Sequence, residues 1–264
     1  MNYRLGKLPA VFDSRTLRFG DYVKAQLPPP PSAVDYGKAV AKWPMYGNDK
    51  YGDCTCAAAG HMIQDWTANA GREVSVPLSG VMSFYEHFVG DPPPADAGCN
   101  MLDVLKYWRA TGLSRHKIEA YVGIEQKNHV QAQDAIYMFG SLYIGVELPD
   151  FAVSGDMLTV PWVVPPQGPV GGAAPNPQNG HCIPAVAYDA RNLYIVTWGE
   201  LKAMSWQFYD AYSDEAYAVL SADFIGKNGK NSAGFNMQAL QKDLAQIKAA
   251  PPGFATFTRK ARTA

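Results

Sequence analysis

The chain has 264 residues, of which 47% are hydrophobic and 18% charged, and its formal net charge is −1. That length allows one large domain or two lobes with ample core, and the near-neutral balance gives no electrostatic case for nucleic acid or an anionic membrane as a partner. No apolar run approaches the roughly 20 residues of a membrane span, and MNYRLGKLPAVFDSRTLRFGDYV lacks a secretory apolar core, so a cytoplasmic protein is expected.

Residues 1–33 read as an N-terminal arm that ends in LPPPP. The prolines at 28–31 stiffen the chain into an extended spacer, which would lay the arm across the body. After a Gly-broken stretch a helix is predicted from Asp53, taken as its N-cap, with Ala57, Ala58 and Ala59 as strong helix formers. Ala58, Met62 and Trp66 stack at i, i+4 spacing and give that helix a buried face. Further helices are predicted over 79–88 and 101–110, the second with Met101, Leu105 and Trp108 on one side and Thr111-Gly112 at its end. Residues 131–139 also read as helical. SLYIGVEL then changes the pattern to a short buried strand. Residues 161–180, PWVVPPQGPVGGAAPNPQNG, form a long Pro/Gly-rich loop of the kind that serves as a functional lid or rim. HCIPAVAYDA and RNLYIVTWG read as two strands joined by a turn around 189–192, and EAYAVLSADFI as another. Over 226–264, Met237, Leu240, Leu244 and Ile247 mark a final amphipathic helix, followed by a basic tail. Helices come first and strands second, so the fold class is α+β with two lobes.

The chemistry centres on GNDKYGDCTCAAAGH at 47–61. Cys54 falls in the first turn of the predicted helix, where free N–H groups and the helix dipole favour a thiolate. Cys56 lies two residues further in and points about 200° round the helix, so it reads as core. A thiol nucleophile also needs an imidazole. His181 is the best candidate, because it opens a β segment directly after the long loop; its strand partner ends in TWG, which brings an indole near the ring. The four cysteines (Cys54, Cys56, Cys99, Cys182) are expected free, with Cys182 packing on the opposite face of its strand from His181. His61 reads as partly buried and hydrogen-bonded, and His87, His116 and His129 as surface residues. No C-x-x-C or H-x₃-H spacing supports zinc; no metal and no cofactor is expected.

Several blocks, in order, resemble the papain-like cysteine peptidases: VDYGKAVAKWPMYGNDKYGDC, LSGVMSFY, GCNMLDVLKYWRATGL, NHVQAQDAIYMFGSLYIGVEL and GHCIPAVAYDARNLYIVTWG. The resemblance spans about residues 34–225, with a helical lobe over about 44–125 and a β lobe over about 126–225. It implies that Cys54 attacks a carbonyl carbon and that His181 holds the proton and passes it to the leaving group. Asn48, six residues before the nucleophile, would donate to the oxyanion together with the Cys54 amide. Trp198 would shelter the polar partner of His181. Gly52, Asp53, Asn100, Met101, Leu102, Gly180 and Trp198 are the implied substrate-side residues.

The chain departs from the family pattern in four places. Thr197 stands near where an orienting asparagine belongs, leaving either a hydroxyl in that role or a Cys-His dyad. Tyr51 replaces the usual disulfide partner of Cys99. Met101-Leu102 replace a flat Gly-Gly wall, which implies a restricted substrate. Only 33 residues precede the matched region, fewer than the usual inhibitory pro-domain, so either the arm plays that part or substrate choice does. The leading expectation is a cysteine-dependent amide hydrolase acting on a peptide or other small amide through an acyl-enzyme. The alternatives are an acyltransferase or ligase on the same dyad, and a non-catalytic binding module on a papain-like scaffold. The sequence sets no oligomeric state.

Overall fold

The computed structural model describes residues 3–22, 29–90, 96–154, 160–231 and 233. Part of the predicted spacer, and all of the predicted final helix and basic tail, lie outside these residues. The described helices are α1 (Phe19–Tyr22), α2 (Cys54–Asn69), α3 (Leu78–Val89), α4 (Met101–Ala110), α5 (His129–Phe139) and α6 (Trp206–Tyr212). The strands are β1 (Val34–Asp35), β2 (Ala120–Gly123), β3 (Leu142–Glu147), β4 (Gly180–Tyr188), β5 (Asn192–Thr197), β6 (Glu200–Ser205) and β7 (Ser213–Leu220). They form one antiparallel sheet in the order β2-β7-β3-β4-β5-β6, with β1 paired to β4. The fold is α+β, with most of the helices ahead of most of the strands. No helix among the described residues is long and apolar enough to cross a membrane.

α2 is the central element. From Cys54 to Thr67 every residue is buried, as expected of a helix packed on all sides. Several of its polar side chains are paired: Gln64 Nε2 donates to Lys42 O (3.0 Å) and Glu73 Oε1 (2.8 Å), and Thr67 Oγ1 donates to Ile63 O (2.7 Å), while Gln64 Oε1 and Asp65 Oδ2 are buried without a partner. The N-terminus of α2 abuts the sheet, where the Tyr143 hydroxyl of β3 donates to Thr55 O at 2.8 Å. β3 pairs with β4 so that Val146 stands opposite His181. The helix that begins at Cys54 and the strand that carries His181 are thereby tied through β3.

Some local expectations are corrected. Asp53 precedes α2, but its side chain makes no capping bond; it is fully buried instead. His116 and His129 are half-buried rather than free at the surface: His116 Nδ1 meets Asp223 Oδ2 and His129 Nε2 meets Asp210 Oδ1, each at 2.8 Å. The last strand begins at Ser213 and ends at Leu220, because the Ser221 hydroxyl accepts from Asp223 N (3.1 Å) and turns 222–224 into a 3₁₀ turn. β6 and α6 were not anticipated. β5 ends at Thr197, and Trp198 (φ 48°) and Gly199 (φ 76°), both in the left-handed region, form the two-residue hairpin turn into β6, as in a type I′ turn. Glycine takes that conformation freely; an aromatic residue does so at a cost.

Candidate active site

Cys54 is the first residue of α2 and is 1% exposed. The main-chain N–H groups of Cys182 and Gly6 bear on its sulfur. Cys182 is the neighbour of His181 on β4, so the thiol lies against the start of the histidine strand. His181 is also 1% exposed. Its Nε2 lies 2.8 Å from Thr197 Oγ1, and its Nδ1 is buried with no hydrogen-bond partner. With Nε2–H donating to the hydroxyl, Nδ1 is the ring nitrogen left as an acceptor. Trp198 stacks on the imidazole, with centroids 4.7 Å apart, so its strained turn conformation delivers the shielding ring.

Burial dominates the electrostatics. It pushes the Cys54 thiol up to about 12 and the His181 imidazole down to about 3, the latter helped by the charge of Lys202. In this state the thiol and the imidazole are each neutral. Burial, only partly offset by the Asn48 side chain, also pushes the Asp53 carboxyl well above its ordinary value. A protonated Asp53 spares the thiol an adjacent negative charge. Asn48 Nδ2 donates to Tyr51 O at 3.1 Å, which places its amide in the loop just before Cys54. Cys56, Cys99 and Cys182 are buried, and all four cysteines are free. Among the described residues no group of three or more His, Cys, Asp or Glu could hold a metal ion.

The cause of this burial is the N-terminal arm. Residues 3–9 run through the groove between α2 and β4, hydrogen-bonded to both sides. Arg4 N donates to Asn48 O (3.0 Å), Gly6 N and Lys7 N to Gly180 O (3.2 and 3.1 Å), and Leu8 N to Cys99 O (3.0 Å); Cys99 N donates to Gly6 O (2.8 Å). Asn100 Nδ2 donates to Pro9 O (2.9 Å) and Trp198 Nε1 to Arg4 O (3.2 Å), while Tyr3 stacks on Trp198 at 4.8 Å. Gly6 faces the site with no room for a side chain: a Cβ there would strike Gly52 O. On the walls, a Cβ on Gly52 would lie 2.9 Å from Leu5 O, one on Gly98 would strike Gly6 O, and one on Gly180 would strike Lys7 O.

Of the residues expected on the substrate side, Gly52, Asn100, Gly180 and Trp198 touch the arm directly. Met101 borders the same space as Lys7, since a Cβ on Gly145 would strike Lys7 Cε and lie 2.8 Å from Met101 Sδ, whereas Leu102 is core at 1% exposure. Sequence reasoning missed Gly6, Lys7, Gly98, Asp214 and Glu215. Lys7 Nζ reaches Asp214 Oδ2 at 2.6 Å and Glu215 Oε1 at 3.3 Å. Burial works to lower the Lys7 pKa, yet the two carboxylates hold it above its ordinary value. The only signals were a lysine in an apolar run and two adjacent acids opening a strand, and neither spacing connects them.

No protein-family model matches the chain, and no curated protein matches it in sequence. Solved structures do. Xylellain, a cysteine protease from Xylella fastidiosa, aligns at 13% identity over 84% of this chain and 97% of its own, with a TM-score of 0.60. Digestive procathepsin L2 of the Tenebrio molitor larval midgut aligns at 12% identity over 83% and 78%, TM-score 0.59. A Carica candamarcensis cysteine protease aligns at 14% identity over 72% and 99%, TM-score 0.52. At these identities the likeness concerns the fold, and this chain has the fold of the papain-like cysteine proteases.

Proposed function

We propose that the protein is a cysteine-dependent amide hydrolase, a peptidase in its chemistry, held latent by its own N-terminal arm. Cys54 supplies the nucleophile and His181 Nδ1 takes its proton, while Thr197 fixes the ring through Nε2. The thiolate attacks the amide carbonyl, the imidazolium protonates the departing amine, and water then hydrolyses the thioester. The Cys54 amide at the helix N-terminus and the Asn48 side chain, once turned from Tyr51 O, stabilise the oxyanion.

One observation carries this reading: a groove holding a thiol and an oriented imidazole binds an extended peptide segment by main-chain hydrogen bonds on both walls. Such a groove suits a peptide. The neutral Cys54–His181 pair belongs to the closed state, since burial is its cause. When the arm leaves, water and the helix N-terminus favour the ionic pair. Four unbridged cysteines support a reducing, cytoplasmic setting.

The test is hydrolysis of a mixed peptide-amide library by the full-length Lys7→Ala chain, in which loss of the Lys7–Asp214 pair frees the arm, and by the same chain carrying Cys54→Ala, with intact-mass detection of the acyl-enzyme. The expected result is turnover and an acyl adduct on Cys54, both lost with Cys54→Ala. Turnover that survives Cys54→Ala overturns the proposal, as does an opened Lys7→Ala chain that forms no adduct with any peptide.

A further inference from the structure

We infer that the acidic pocket holding Lys7 is the side-chain specificity pocket of the enzyme and selects lysine or arginine in a peptide substrate. This deepens the thiol-hydrolase reading and rests on it. Lys7 follows Gly6, the residue that faces Cys54, so its side chain enters the groove wall one residue from the reacting sulfur. That side chain is 1% exposed, a depth that lysine reaches only where partners are in place.

Three features build the pocket. The first is Gly145, on an otherwise apolar buried strand: a Cβ there would collide with Lys7 Cε, so glycine leaves the channel for the lysine shaft. The second is a break in the β3–β7 register, where Gly145 stands opposite Glu215 and Val146 opposite Ser213, leaving Asp214 as the extra residue. In a regular strand, adjacent carboxylates point to opposite faces; the bulge turns both toward one ammonium. The third is Tyr217, whose hydroxyl donates to Glu215 Oε2 at 2.8 Å and fixes that carboxylate. Glu147 stands close enough for Asp214 and Lys7 to act on its charge.

Two carboxylates thus hold one cationic site at the groove wall. Lysine fits as a point charge, and the planar fork of arginine can engage Asp214 and Glu215 together. An apolar side chain would leave the acids unpaired, and an acidic one would meet like charge. Lys7 is the resident occupant, and a substrate's basic side chain would replace it.

The test uses the full-length Lys7→Ala chain, which empties the pocket and retains the groove. Dipeptidyl chloromethyl ketones carrying Arg, Lys, Leu or Glu at either residue are compared by the rate at which they label Cys54. In one of the two positions, the Arg and Lys probes should label about tenfold or more faster than Leu, a ratio equal to one well-placed charged contact. Adding Asp214→Asn and Glu215→Gln should erase that preference, read as the ratio of Arg to Leu labelling within one variant so that any general change in Cys54 reactivity cancels. Equal labelling by Arg, Lys and Leu probes in Lys7→Ala overturns the proposal without any need for the acid variants. So does a basic preference that survives their removal. Rapid iodoacetamide labelling of Cys54 with no basic preference sinks only the pocket; absence of Cys54 labelling by every reagent sinks the thiol reading and the pocket with it.

Discussion

Lys7→Ala is expected to open the groove. Removing one partner of a buried ion pair costs about 3–5 kcal/mol, because the other charge is left uncompensated. Here Asp214 is 16% exposed, so water recovers part of that loss, and the main-chain bonds of residues 4–9 remain. A net loss of roughly 2–3 kcal/mol from the closed state corresponds to a rise of about 30- to 150-fold in the open population. The assay is the rate of iodoacetamide alkylation of Cys54 at fixed pH, read by mass spectrometry of the peptide that carries it. Lys7→Arg keeps the charge and should stay within about threefold of the parent, the small change reflecting a longer shaft in the same channel. If Lys7→Ala alkylates no faster than the parent, or if Lys7→Arg opens the groove as fully as Lys7→Ala, the ion pair does not hold the arm and the latency argument fails.

Three further outcomes follow from the geometry. Thr197→Val removes the acceptor 2.8 Å from His181 Nε2 and should lower kcat/KM about tenfold, a net loss near 1.4 kcal/mol, with Thr197→Ser restoring most of it. His61, held neutral with Nε2 2.7 Å from Pro44 O and pushed down to about 4 by burial, binds its proton in the unfolded chain before the folded one. Stability must therefore fall as pH drops from about 6.5 to 4, by on the order of 3 kcal/mol from this residue; His61→Gln should flatten that limb in thermal melts. Asp65 is pushed the other way by burial, so the folded state keeps its proton longer and stability falls as pH rises above the ordinary carboxylate range. Asp65→Asn should raise Tm at pH 7 more than at pH 4.

The helices were legible because their apolar spacing and small-residue content are local. Met101, Leu105 and Trp108 marked α4, whose observed limits match the predicted 101–110. His181, Thr197 and Trp198 stand in one block that carries the family resemblance, and the structure brings these three into contact, with Cys54 near the amide of Cys182. Non-local features were hidden. Gly6 looks like any glycine until Gly52, Gly98 and Gly180 converge on it from three distant segments. Asp214 and Glu215 share a ligand only because a one-residue bulge breaks the pleat, and sequence alternation assigns them opposite faces. Trp198 concealed the hairpin into β6, since an aromatic at positive φ is the reverse of ordinary turn chemistry. Asp53 carried the signature of a cap, yet packing took its side chain inward.

The most direct test of the account is the pH profile of Cys54 alkylation in the opened Lys7→Ala chain, with and without His181→Ala. An ion pair at the mouth of α2 should give rapid alkylation that levels off well below the ordinary thiol pKa of about 8.5 and collapses when the imidazole is removed. Slow alkylation that rises only near that pKa and is indifferent to His181 would contradict the assignment of Cys54 as the nucleophile.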